Sequence, residues 1–226
     1  VNEAAELDLM KAIHARWGSL LHSAAETSSI AESFLAALVA NESGGNPNAK
    51  RFESHVLLAL WEVLLGRKAA YGSIGRADVV AFVAAFTSGI NTGTPYNTGA
   101  GAHFTDSLPS DAFQRVDGLA TSWGLTQIMG YEAIAFHTNG VAALQSPVSE
   151  LTITVKMLGQ FAQHAGLDVA KDFPELFDCW NTGRPHSPTA DPQYIPNGLA
   201  RKALYESIAA ASGGNGKDAA APESAT

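Results

Sequence analysis

An all-α fold is expected for this chain, because apolar residues recur at three- and four-residue spacing through most of its 226 positions. No strictly alternating apolar and polar run extends beyond a few residues, which leaves little for half-buried strands. An apolar content of 46% is enough to bury a real core in one domain. The spacing places helices at roughly 4–17, 28–42, 52–66, 76–88, 110–119, 122–137, 148–165, 170–180 and 197–211.

The opening VNEAAELDLMK lacks the basic start and apolar centre of a signal peptide. In the second helix, Ser28 or Ser29 can serve as N-cap, and Phe34, Leu35, Leu38 and Val39 form one stripe that Glu42 continues. Gly44 and Gly45, followed by Pro47, end that helix through a left-handed cap and put Glu42 in its last turn. Further along, SWGLTQIMG at 122–130 reads as a short apolar helix bracketed by Gly124 and Gly130 and carrying Gln127. The helix from about 170 ends in an aromatic, an Asn and a Gly, within CWNTGRP at 179–185.

Residues 89–109 and 183–196 are rich in Gly, Pro, Asn, Ser and Thr and read as long surface loops. The closing SGGNGKDAAAPESAT is low in complexity. A folded domain over 1–212 and a disordered tail or linker over 213–226 follow.

A formal net charge of −8, with Lys and Arg scattered, argues against nucleic acid as partner, since counterion release needs a basic footprint. No apolar stretch approaches the roughly 18 to 20 residues of a membrane span, so no membrane insertion is expected. The lone Cys179 can form no intrachain disulfide, and its expected role is packing. Seven histidines without an HExxH or similar pattern suggest no metal, and no cofactor is expected.

Three segments carry candidate chemistry. Partial burial and the negative end of a helix dipole both disfavour an ionised Glu42, and a carboxyl kept protonated near neutral pH can donate its proton to a leaving oxygen. Read alone, the segment favours Glu42 as a surface residue before a Gly turn. Gln127 either faces water or orients a sugar hydroxyl or acetamido group through its amide. Trp180 and Asn181 are either core and cap, or a stacking face with a polar neighbour.

Taken in order, ESGGNPNA, GLTQIM and WNTG resemble the three motifs of lytic transglycosylases and goose-type lysozymes. ESGG at 42–45, FESH at 52–55 and SWGLTQIMG at 122–130 are more similar still to the N-acetylmuramidase family of phage and bacterial endolysins. The likeness covers roughly residues 28–210, to the final helix after Tyr194-Ile195-Pro196. It implies a lysozyme-like helical domain with a substrate groove, a monomer acting on peptidoglycan glycan strands of the bacterial cell wall, whether secreted, periplasmic or phage-delivered.

By the same resemblance Glu42 matches the general acid, with Ser43 beside it to help orient it, and Glu53 matches a second carboxylate. Gln127, Met129, Trp180, Asn181 and Tyr194 match groove and sugar-binding positions. Ser54 stands where the family usually has Arg, and Glu53 also reads as a first-turn residue favoured by the helix dipole. YNTG at 96–99 copies the third motif but precedes GLTQIM, and is treated as a decoy.

The expected reaction is hydrolysis of the β-1,4 bond between N-acetylmuramic acid and N-acetylglucosamine. A carboxyl separation of roughly 6.5 to 9.5 Å would suit inversion, and roughly 5 to 5.5 Å retention. A lytic transglycosylase needs one Glu only, and a non-catalytic glycan-binding module is the third possibility.

Overall fold

Asn2 caps the first helix: its side-chain oxygen accepts from the Ala4 N–H at 3.1 Å, and Glu3 and Glu6 in the first turn complement the helix dipole. The computed structural model describes residues 2–85, 116–136 and 140–214. Outside the described residues lie the loop expected at 89–109 with its YNTG copy, most of the helix expected at 110–119, and the tail from 215 onward. The described residues are mostly helical, with short strands as a minor part. They fall into two compact units, Val1–Gly45 with Val155–Thr226, and Asn46–Thr154.

The first unit holds α1 (Glu3–Ser28), α2 (Glu32–Ser43), the later turns of α6 (Pro147–Ala165), α7 (Phe173–Thr182) and α8 (Tyr194–Gly214). α1 runs well past its expected end at residue 17, because buried Met10, Ile13 and Leu21 continue one stripe across Gly18. Ser28 therefore closes α1, donating to the Ala24 carbonyl at 2.7 Å, and does not cap α2. Ser29 does not cap it either; it takes the left-handed conformation that ends α1, and α2 starts at Ala31 without a side-chain cap.

α2 is buried on every side from Ser33 to Ala40, more than the single stripe expected, which makes it the central helix of this unit. α1 and α8 pack against it, and α7 packs on α8. Between them Tyr205, 1% exposed, donates to Glu32 Oε1 at 2.6 Å. α8 reaches Gly214, two residues beyond the expected domain end at 212.

The second unit is built on a three-stranded antiparallel sheet in the order β1 (Lys50–Phe52), β4 (Thr121–Trp123), β5 (Ile128–Met129). Lys50 pairs with Trp123 and Phe52 with Thr121, while Ser122 pairs with Met129. A second hairpin, β2 (Ala70–Tyr71) and β3 (Ile74–Gly75), lies between α3 (Ser54–Leu64) and α4 (Arg76–Ala85). α5 (Gly130–Phe136), a 3₁₀ turn at Gly140–Gln145 and the first turns of α6 complete the unit.

The helix expected over 122–137 is thus corrected to a hairpin followed by α5. Gly124 at φ 76° and Gln127 at φ 57° stand in the left-handed region, which no continuous right-handed helix passes through.

Gly159 offers a check on α6. An added Cβ there meets nothing within 4 Å, and the position is exposed, so Gly159→Ala is expected to raise stability by about 0.5–1 kcal/mol through the less flexible unfolded chain. Chemical denaturation of the two chains measures it, and a loss would contradict the open helical setting.

Candidate functional site

In the first unit, Glu42 occupies the last full turn of α2, half-buried. Gly44, at φ 62°, closes the helix by donating its N–H to the Ala40 carbonyl at 3.2 Å, and the Gly45 carbonyl accepts from the Trp17 indole at 3.0 Å. Tyr194, at the start of α8, donates its hydroxyl to Glu42 Oε1 in a short hydrogen bond. Burial, and then the Glu42 charge, raise the Tyr194 pKa, so the proton stays on the phenol and the carboxylate accepts.

Tyr194 is itself held in place. Its carbonyl accepts from Asn41 Nδ2 at 2.9 Å, and its ring meets Phe177 of α7 edge-on at 6.1 Å. Arg201 donates to Asn41 Oδ1 at 2.8 Å and forks onto both oxygens of Glu6 at 2.6 and 2.9 Å. That fork holds the Glu6 carboxyl below its ordinary range. The chain Glu6–Arg201–Asn41–Tyr194–Glu42 therefore ties α1, α8 and α2 to one carboxylate.

Ser43 donates to the Val39 carbonyl of its own helix at 3.3 Å. Trp180 is half-buried near the end of α7 and Asn181 is exposed; Gly183 reverses the chain just after them, donating to the Cys179 carbonyl at 2.9 Å.

In the second unit, Gln127 sits on the tight turn between β4 and β5, where its amide closes the turn from both ends. Ser122 Oγ donates to Gln127 Oε1 at 2.9 Å, and Gln127 Nε2 donates to the Gly124 carbonyl at 2.9 Å. Under the turn lies Glu150 of α6, 0% exposed. One of its oxygens accepts from the Leu125 N–H at 2.9 Å; the other accepts from the Thr126 N–H at 2.7 Å and the Thr126 hydroxyl at 2.9 Å. A Cβ on Gly124 would stand 2.1 Å from Glu150 Oε2, so this glycine is required by the carboxylate as well as by its φ. Beside the turn is a polar cavity of about 310 Å³ lined by Asn48, Lys50, Trp123, Gly124 and Gln145, among others.

Glu53 precedes α3, with its N–H donating to the Ala120 carbonyl at 2.9 Å and its carboxylate facing Arg51 at 2.6 Å and His55 at 3.6 Å. Met129 is half-buried in β5, and its N–H is accepted by Glu132. Tyr131 donates to Glu132 at 3.4 Å and packs edge-on against Tyr71 at 5.1 Å. The charges of both Glu132 and Glu53 act on the Tyr71 phenol and help to raise its pKa, after burial.

Burial pushes the carboxyls of Glu132 and Glu150 up to about 7, against the hydrogen bonds they accept. An unfolded Glu releases its proton near about 4.3. Between these values the folded chain holds more protons than the unfolded one, so stability falls as pH rises through that window. The fully buried Glu150 accounts for on the order of 3 kcal/mol of that change. Urea midpoints are expected to be lower at pH 8 than at pH 5, and the difference should shrink in Glu150→Gln.

Glu42, Ser43, Trp180, Asn181 and Tyr194 belong to the first unit, and Glu53, Gln127 and Met129 to the second. The structure joins Glu42 directly to Tyr194, 152 positions away, and sets Gln127 on Ser122 and Gly124. Sequence reasoning missed Arg201, Glu132 and Glu150. For Glu150 a signal existed, since it shares a helical face with buried Thr154 and Met157, the same pattern that singled out Glu42.

Among the described residues no group of three or more His, Cys, Asp or Glu is placed to hold a metal ion, and no helix is long and apolar enough to cross a membrane. Comparison with protein-family models, with curated proteins and with solved structures found no match.

Proposed function

We propose that this chain is a peptidoglycan-cleaving glycosidase, a muramidase acting on the β-1,4 bond between N-acetylmuramic acid and N-acetylglucosamine in the bacterial cell wall. The observation that carries the reading is the bond from Tyr194 to Glu42. Two positions matched independently by the resemblance meet there, on a half-buried carboxyl at a helix end.

In this reading Glu42, once it has taken up a proton from solvent, transfers it to the glycosidic oxygen as the C1–O bond breaks, and a water adds its oxygen at C1 and gives up a proton to solvent. Tyr194 fixes the orientation of the carboxyl, and the Arg201–Asn41 chain fixes Tyr194. The Trp180–Asn181 pair serves as a sugar contact, and no cofactor takes part.

One observation favours a second reading. Glu53 is already engaged by Arg51 and His55, which suits a mechanism with a single carboxylate, the lytic transglycosylase. There Glu42 acts first as acid and then as base, and the muramic 6-hydroxyl closes an anhydro ring. Mass spectrometry of fragments released from purified walls tests both: reducing ends are expected for the muramidase, and 1,6-anhydro ends would replace it with the transglycosylase. Binding without any release would leave a glycan-binding module.

A further inference from the structure

The polar cavity of about 310 Å³ lies wholly within the second unit, walled by the chain at 47–50, by Trp123 and Gly124, and by Leu144 and Gln145. Its backbone is fixed from three sides. The Asn48 N–H donates to Asn46 Oδ1 at 3.0 Å and the Ala49 N–H to the Asn46 carbonyl at 3.2 Å. The Gly124 N–H donates to the Ala49 carbonyl at 2.8 Å, and just beyond Gln145 the Ser146 N–H donates to the Ala143 carbonyl at 3.1 Å. With the N–H groups of 48, 49 and 124 already engaged inside the protein, recognition in this cavity falls to side chains.

Three of them carry polar heads: the ammonium of Lys50 and the amides of Asn48 and Gln145, all on exposed residues. Lys50 pairs directly across the strands with Trp123, and its Nζ stands 4.7 Å from the centroid of that buried ring. The indole N–H donates to the Gly118 carbonyl at 3.0 Å, so the ring under the ammonium is held in one orientation. No acidic side chain is among the residues lining the cavity, although acids outnumber Lys and Arg by 22 to 14 in the chain. The cavity is therefore locally cationic in an anionic protein, and it favours an anion.

One ammonium balances one negative charge. A doubly charged phosphate calls for further cations or a nest of backbone N–H groups, and the N–H groups here are committed. The two amides each donate and accept, which complements a peptide group. A volume at the lower end of the roughly 300–1,000 Å³ of small-molecule sites admits one or two residues of a peptide.

We propose that this cavity binds the free C-terminal carboxylate of a short peptide: Lys50 takes the carboxylate, and Asn48 and Gln145 take the peptide group next to it. The site is built from the second unit alone and does not rest on the glycosidase reading.

The test titrates N-acetyl-alanyl-alanine into the full chain and follows the NMR signals of the Asn48 and Gln145 side-chain amides. Both signals are expected to shift, with a Kd of about 1 mM or below for a ligand of this size. Amidating the probe's C-terminus, or substituting Lys50→Gln, is expected to weaken binding at least about tenfold, the worth of a hydrogen bond to a charged group. Gln145→Ala should weaken it about threefold, as for a neutral hydrogen bond. Lys68→Gln is the control: it removes the same charge from a lysine that also stands over an aromatic ring, Tyr71 at 4.9 Å, but outside the cavity, and binding should not change. The amidated probe tests the charge on the wild-type chain, so the result does not depend on how Lys50→Gln folds.

No shift of the two amides, equal binding of the amidated probe, or equal losses in Lys68→Gln and Lys50→Gln would each overturn the site. So would inorganic phosphate that displaces the probe at concentrations below the probe's own Kd, since the cavity would then be a general anion site.

Discussion

Glu42→Gln is expected to lower the release of fragments from purified cell walls by at least about 10²-fold, the usual worth of a positioned acid. Gln keeps the shape of the side chain and an oxygen that can accept the Tyr194 hydroxyl, so the chain from Glu6 through Arg201 and Asn41 can persist. What it loses is the proton. The unfolding midpoint should therefore stay near that of the wild-type chain, and this pairing separates a catalytic loss from a structural one. Retained release at an unchanged midpoint would remove Glu42 from the mechanism and, with it, the main support for the glycosidase reading.

The parts of this site that were readable in advance are those set by neighbours in sequence. The last turn of α2 is an example: an apolar run, then Glu42, then Gly44 with the positive φ that stops a helix, all within a dozen residues. SWGLTQIMG is the counterexample. Strands of three and two residues are too short to show alternation, and the apolar side chains of Leu125, Ile128 and Met129, at i, i+3 and i+4, match a helical face. What decides between them is Glu150, more than twenty residues away, which takes the N–H groups that a helix would otherwise have used.

The fork of Arg201 onto Glu6 spans 195 positions and joins two exposed-looking charges, so no local pattern announces it. Tyr194 entered through resemblance alone. Its packing on Phe177 and its bond to Glu42 depend on how α7 and α8 meet, and a single sequence does not carry that.

Gly130→Ala is expected to be the most destabilising small substitution in the second unit. Gly130 is buried at the first position of α5, and a Cβ there would stand 2.1 Å from the Gly118 carbonyl oxygen and 2.9 Å from Leu119 Cα. Both obstacles are backbone, so no side-chain rotation relieves them. Nor is the backbone free to withdraw: the Gly118 carbonyl accepts from the buried Trp123 indole at 3.0 Å, and the Leu119 carbonyl accepts from the Tyr131 N–H at 3.0 Å. Moving residues 118–119 away would break one or both bonds inside the core; moving Gly130 instead would pull on β5, whose Ile128 pairs with Trp123. Overpacking costs about 1–3 kcal/mol, and a buried partner left unpaired adds about 1–3 more, so a total of about 2–6 kcal/mol is expected. That is a large share of the roughly 5–15 kcal/mol by which domains are stable. Denaturant unfolding followed by the fluorescence of the tryptophans measures it. A loss under about 1 kcal/mol would mean that α5 does not start against Gly118, and since the Gly118 carbonyl anchors the Trp123 indole, the β4–β5 hairpin that carries Gln127 would then need a different support.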